Sequence, residues 1–228
     1  MTLKTLLLKS PGLMALCAAV YRLFGFNGIR IKGKENVIYQ QSGFVRQTKF
    51  KLLGNRNSVI IGPYCHISNC RFFISGCGNM MILHERVTAD GSDFYMEDDG
   101  GVIEIGAGTV INAGSHLACI EGTHLTLGRD CLLSSDVVIR TGDSHALVDQ
   151  NGVRINASRD VTLGDRVWAG HRVTFLKGSG VGSDSVAATN AVVTKLFTES
   201  NIVIGGNPAA VIRREITWAP ERKTGINA

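Results

Sequence analysis

A short repeat constrains this chain more than any other feature. Six-residue strings recur, each opening on an aliphatic or small apolar residue, followed by a small or polar one, two variable positions, a small residue and a variable one. They are IGAGTV (105–110), INAGSH (111–116), LGRDCL (127–132), LSSDVV (133–138), LGDRVW (163–168), AGHRVT (169–174), VGSDSV (181–186) and AATNAV (187–192). Upstream a longer unit appears: Gly33 with Asn36, Gly54 with Asn57 and Gly76 with Asn79 each lead into an apolar run, VI, SVII or MMIL. Self-similarity at fixed period is the mark of a solenoid. A six-residue unit with one aliphatic anchor is a short strand plus a turn, and three of them close a triangular coil. The anchor points inward and stacks on its equivalent one coil on, at the strand spacing of about 4.8 Å. The fifth position also faces inward where space is tight, which accounts for Thr109, Ser115, Cys131, Val137, Val167, Val173, Ser185 and Ala191. Each coil buries its stack only against its neighbours, so the ends need caps. The N-terminal segment and the stretch after Asn207 are the expected ones.

Composition agrees and removes several classes. Glycine is high at 27 of 228 residues while proline numbers only 4, and no Gly-X-Y period is present, so the glycines serve turns and not collagen. The net charge of +5 suits an anionic ligand. The basic residues are scattered and aromatics make up only 7%, so nucleic acid is not an expected partner. The six cysteines form no C-x-x-C pair and read as small packing residues in a reducing cytoplasm. Cys65, His66, Cys70, Cys77 and His84 match no standard zinc spacing, and no metal is expected.

Residues 1–30 read as a helical segment, with Ser10 as N-cap and Pro11 at the first helical position. Lys4 and Lys9 ahead of an apolar stretch also fit a secretory signal, although Leu16 before Cys17 breaks the lipoprotein form. The expectation is a retained amphipathic helix, packed on the body or lying against a membrane surface. No apolar run approaches the roughly 20 residues of a spanning helix.

The six-residue strings resemble the hexapeptide-repeat acyltransferases, whose fold is an all-β, left-handed parallel β-helix. That hand runs against the usual crossover rule, so the resemblance implies it and the period does not. The resemblance covers residues 31–218, leaving 219–228 as a tail, and is most specific over residues 139–213. There a His loop, VTLGDRVWAG, KGSGVGSDSVAATNAVVTK and GGNPAAVIR follow in the order of the branch that acetylates sugars and other small hydroxyl compounds. RTGDSHALVDQNGVRIN resembles bacterial O-acetyltransferases of capsular and surface polysaccharides, including those acting on sialic acid polymers.

The period fails once, between Arg140 and Val161, and a solenoid that interrupts itself has usually put function there. The protruding loop, residues 141–160, is polar and carries one histidine, His145. Acyl transfer from a thioester to a hydroxyl needs a base for the hydroxyl proton and donors for the oxyanion. Histidine accepts a proton near neutral pH. From the residues alone His145 is either that base or a solvated loop histidine. The resemblance implies the base, acting by direct transfer with no acyl-enzyme, and Asp143 is the candidate to orient its imidazole.

Trp168 takes the outward sixth position of its string, where a large aromatic wants a neighbouring subunit or a ligand. The resemblance sets it beside donor and acceptor. Asn112 and His116, on an outward corner two coils earlier, are candidates to reach the acceptor, with turn hydrogen bonding as the plainer reading. For acetyl-CoA, the resemblance implies a pantetheine groove between prisms, carried onto Gly170, His171, Thr189, Thr194 and Lys195, with Arg213 near the phosphates. The family's GAG turn reads Ala188-Thr189-Asn190 here, which weakens the Thr189 assignment. Lys177 stands at coil spacing with Lys195 and Arg213, as a phosphate groove would need.

The expectation is thus an acetyl-CoA-dependent O-acetyltransferase acting on a sugar or sialic acid of surface polysaccharide. It would be a cytoplasmic homotrimer with sites between subunits, and its N-terminal helix would be free to touch the inner face of the membrane. Three alternatives remain: a small free acceptor such as a galactoside, xenobiotic alcohol or amino sugar; an inactive scaffold, which the presence of His145 and Trp168 opposes; and a zinc carbonic anhydrase of the same fold, for which the six histidines show no suggestive spacing.

Overall fold

The computed structural model describes Gly12 and residues 25–221, and the described chain is a three-sided, left-handed parallel β-helix of about 8 turns. The first sheet stacks Gly28–Lys32, Lys49–Leu53, Arg71–Ser75, Asp93–Glu97, His116–Ile120, Val138–Arg140, Thr174–Phe175 and Val192–Val193. The second runs from Val37–Gln40 to Leu196–Phe197, and the third from Phe44–Arg46 to Val203–Gly206. All pairings are parallel except the last, where Ala209–Arg213 turns back on Val203–Gly206 and closes the third sheet beyond Asn207. The expected helix over residues 1–30 lies outside the described residues except at Gly12 and its last few positions, and Gly28 already starts a strand.

The inward positions are those that the period predicts. Every anchor and every fifth-position residue named above is buried. Phe50, Phe72 and Phe94 stack with centroids 4.9 and 4.6 Å apart, and Leu117, Ile139 and Phe175 continue the same column. Burial by the surrounding stack pushes the Cys65, Cys70 and Cys131 thiols up to about 11, so they serve as packing. At the first described coil, Ile29 and Ile31 continue the columns of Phe50 and Leu52 yet are 59% and 42% exposed.

The solenoid has two gauges. Register partners such as Arg71 and Asp93 lie one wide coil of 22 residues apart, whereas Thr174 and Val192 are one narrow coil of 18 apart. The wide coils explain the longer upstream unit. Asn57 accepts from the Asn79 backbone N–H at 3.0 Å and donates through Nδ2 to the Gly76 carbonyl at 2.8 Å. Asn36 and Asn79 repeat these contacts one coil below and one above. Each glycine of the unit must come close to the next coil. Gly54 has φ +111°, and a Cβ there would sit 1.9 Å from the Gly76 carbonyl oxygen.

Candidate active site

The chain leaves the solenoid once. After Val138–Arg140, Thr141 is fully buried and takes part in four hydrogen bonds on the edge between the first and second sheets. At Gly142 a Cβ would lie 2.1 Å from Ser158 Oγ and 2.5 Å from Ile120 Cδ1, so only glycine lets the two ends of the loop pass each other. Beyond it the loop forms a hairpin. Val148 bridges Arg154, and Asp149 Oδ1 accepts from the Asn151 and Val153 N–H groups.

The base of this hairpin is organised by Asn156, which is 5% exposed. Its Nδ2 donates to the His145 carbonyl at 2.8 Å and to Asp143 Oδ2 at 2.9 Å. Its Oδ1 accepts from the Leu147 N–H at 2.8 Å and from Arg154 Nε at 3.2 Å. Arg154 also pairs with Glu121 at 2.7 Å, and Arg140 donates to Ser144 Oγ at 2.9 Å. The His145 backbone is therefore braced on both sides, while its side chain is exposed.

The expected contact from Asp143 to the His145 imidazole is not among the contacts of the described residues. Asp143 instead pairs with Lys177 and accepts from Asn156, and those two partners, in that order, hold its carboxyl below the usual range. Lys177 is correspondingly drawn in. It bonds Asp143 and the Asn156 carbonyl and ties the loop to the following coil.

The other candidates fall into two groups. Thr194 and Lys195 are exposed on the edge between the first and second sheets, the edge from which the His145 loop emerges. Asn112, Gly170, His171 and Thr189 line up on the edge between the third and first sheets, and His116 opens a first-sheet strand beside it. Asn112 Nδ2 donates to the Leu133 carbonyl at 3.0 Å, the turn role foreseen as the plainer reading. His116 Nδ1 meets Asp93 at 2.9 Å, and His171 Nδ1 meets the Ser135 carbonyl at 3.0 Å. Arg213 is exposed on the antiparallel closing strand.

Trp168 faces outward from the third sheet, 38% exposed, with its Nε1 3.3 Å from Ser134 Oγ. One prism thus carries His145 and Trp168 on different faces. Two residues with structural weight here escape the repeat: Asn156, indistinguishable from other polar letters of the loop, and Trp218, which lies past the last six-residue string and packs on Trp168.

No model of a protein family matches the chain. The polysialic acid O-acetyltransferase of Neisseria meningitidis is 33% identical over 172 residues, spanning 75% of this chain and 79% of that protein. The polysialic acid O-acetyltransferase of Escherichia coli O1:K1 is 32% identical over 128 residues, and the match takes in only 41% of its length. Among solved structures, the polysialic acid O-acetyltransferase OatWY superposes with a TM-score of 0.81 at 29% identity, covering 89% of this chain and 95% of that one. With the same repeat, the same coil and a relative matched over most of both lengths, the chain belongs to the hexapeptide-repeat O-acetyltransferase family.

Proposed function

We propose that this protein transfers an acetyl group from acetyl-CoA to a hydroxyl of a sialic acid or related sugar in a bacterial surface polysaccharide, in one step, with His145 as the base. The observation that carries the reading is the single break in the solenoid. It exposes one imidazole on a backbone that Asn156 fixes, which is what a general base on a loop requires. The names of the relatives support the acceptor class, and the net charge of +5 suits an anionic sugar.

In the step itself an imidazole nitrogen of His145 takes the acceptor's hydroxyl proton as that oxygen attacks the thioester carbonyl carbon. The tetrahedral adduct then collapses, the carbon–sulfur bond breaks, and the thiolate leaves with the proton held by the imidazolium. The exposed Thr194, Lys195 and Arg213, with Gly170, His171 and Thr189, are the residues offered for the donor. Asn112 and His116 are offered for the acceptor. Asp143 and Lys177 act on the loop and not on the ligands.

The proposal extends to a homotrimer with shared sites, which an exposed apolar arm supports. The hairpin exposes Leu147, Val148, Val153 and Ile155 at 59–65%, an apolar arm that a neighbouring prism would cover. His145 and Trp168, on separate faces of one prism, would then meet across that boundary. The protein works in the cytoplasm, where acetyl-CoA is available.

The test is thiol release from acetyl-CoA measured against a panel of capsular and lipopolysaccharide sugars, sialic acid oligomers included. His145→Ala should lower kcat by at least about a hundredfold, the scale of a lost general base. Turnover near that of the wild type would refute the assignment.

A further inference from the structure

The chain holds two tryptophans, and the fold sets them against each other. Trp168 stands on a solenoid strand, and Trp218 arrives on the segment that follows the closing strand. Their ring centroids are 6.1 Å apart with the planes tilted by 44°.

Trp218 is carried there by a strap fastened at three alternate residues. Arg214 pairs with Glu199 at 2.9 Å. Ile216 donates its N–H to the Asn201 carbonyl at 3.0 Å, and Asn201 Nδ2 returns a bond to the Ile216 carbonyl at 2.9 Å. Trp218 Nε1 donates to the Arg166 carbonyl, while Arg166 Nη2 donates to the Trp218 carbonyl at 3.0 Å. Arg166 is itself held by Asp184 at 2.7 Å, and its guanidinium lies 5.7 Å from the Trp218 ring.

Trp168 needs such a partner. On the solenoid it has the long bond to Ser134 and the strand neighbours Leu132 and Val186. An outward indole on a two-residue strand keeps rotamer freedom unless something takes one of its faces. We infer that Trp218 is a positioning residue: the strap of residues 214–218 holds its indole against Trp168, so that Trp168 meets the reacting groups in one orientation. This rests on Trp168 belonging to the transfer site.

The test is a double-mutant cycle on the full-length protein, read by turnover and by circular dichroism. Two indoles this close and tilted couple their transitions, so the wild type should show an exciton band that both Trp218→Phe and Trp218→Ala abolish. Trp218→Ala should lower kcat/KM by about tenfold, since small misplacements of a positioning group carry losses of that size or larger. Trp218→Phe, which keeps a ring on the indole face, should stay within about threefold of the wild type, and Arg166→Met should weaken the band and lower turnover with both indoles intact. In a Trp168→Ala background, Trp218→Ala should cost less than about a further twofold.

Multiplicative losses in the double variant would overturn the inference, because Trp218 would then act on its own. So would wild-type turnover in Trp218→Ala, or an exciton band missing from the wild type. If Trp168→Ala alone leaves turnover intact, the placement of Trp168 in the site fails, and an exciton band present in the wild type would separate that failure from a misread strap. Should Trp218→Ala not fold, Trp218→Phe and Arg166→Met carry the same comparison.

Discussion

Asn156→Ala is the sharpest probe of how the loop presents His145. The amide makes four hydrogen bonds, to the His145 carbonyl, Asp143, the Leu147 N–H and Arg154. At about 0.5–1.5 kcal/mol net for each, and with partners that water can partly reach once the loop opens, the variant should lose about 2–4 kcal/mol of loop order. A factor of ten corresponds to about 1.4 kcal/mol, so the braced form would fall from dominant to minor and turnover should drop roughly 10- to 100-fold. The stacked core is untouched. Because about 1 kcal/mol moves the midpoint of a domain this size by 2–4 °C, the solenoid's own unfolding should shift by less than about 3 °C. Two assays report together: thiol release for turnover, and hydrogen exchange over residues 143–158 for order. Asn151→Ala at the exposed hairpin tip serves as the control and should change neither. Faster exchange with wild-type turnover would refute the idea that loop order governs catalysis. Unchanged exchange would refute the role given to Asn156.

Other consequences can be checked independently. Burial raises the Asp93 carboxyl, but hydrogen bonds from His116 and Arg71 outweigh it and bring the group to about 2. Its contribution is therefore complete above the ordinary carboxylate range and is lost as pH falls from about 4 through about 2, so Asp93→Asn should flatten the acid unfolding curve in that window; an unaltered curve would contradict the pairing. Gly142→Val should displace the loop base, since even a Cβ meets Ser158 and Ile120, and turnover should fall at least about tenfold while far-UV dichroism is retained. Asn57→Ala strands the Gly76 carbonyl and the Asn79 N–H inside the coil, and should cost about 3 kcal/mol, or roughly 6–12 °C in thermal midpoint.

Much of this molecule is legible in its letters because a solenoid is nearly one-dimensional. One anchor per six residues dictates an inward column, and Ile105, Leu127, Leu163 and Val181 occupy the second-sheet column that their spacing predicts. The loop was legible for the converse reason, as the place where the anchors stop. Side-chain pairing within it was not. Asp143 sits two residues from His145 and invites a pairing, yet Lys177, a coil later, takes it, because a lysine beside a carboxylate at the loop base is the stronger match. Asn156 and Trp218 were hidden for the same cause: each acts across a fold, at separations that no local pattern records.

The two gauges of the coil and the position of the loop have a common origin. Along the edge between the first and second sheets, Asn36, Asn57 and Asn79 carry hydrogen bonds from coil to coil, and the Gly101 N–H donates the last of them, to Asn79 Oδ1. Above that the edge changes chemistry. Thr123 Oγ1 bonds the Ile120 carbonyl at 2.7 Å and Thr141 Oγ1 at 2.6 Å, and Thr141 in turn accepts from the Ile120 N–H. A hydroxyl is shorter than an amide and closes a tighter corner, so the ladder ends at Thr141, where the chain turns out toward His145. Past the loop the coil resumes at 18 residues, with no wide corner left to fill. A buried polar ladder is costly unless every member is satisfied. Its last rung, with the Thr123 and Thr141 hydroxyls both paired, is therefore a place where an excursion can start, and the loop inherits a fixed root from the same bonds that set the register of the coils below it.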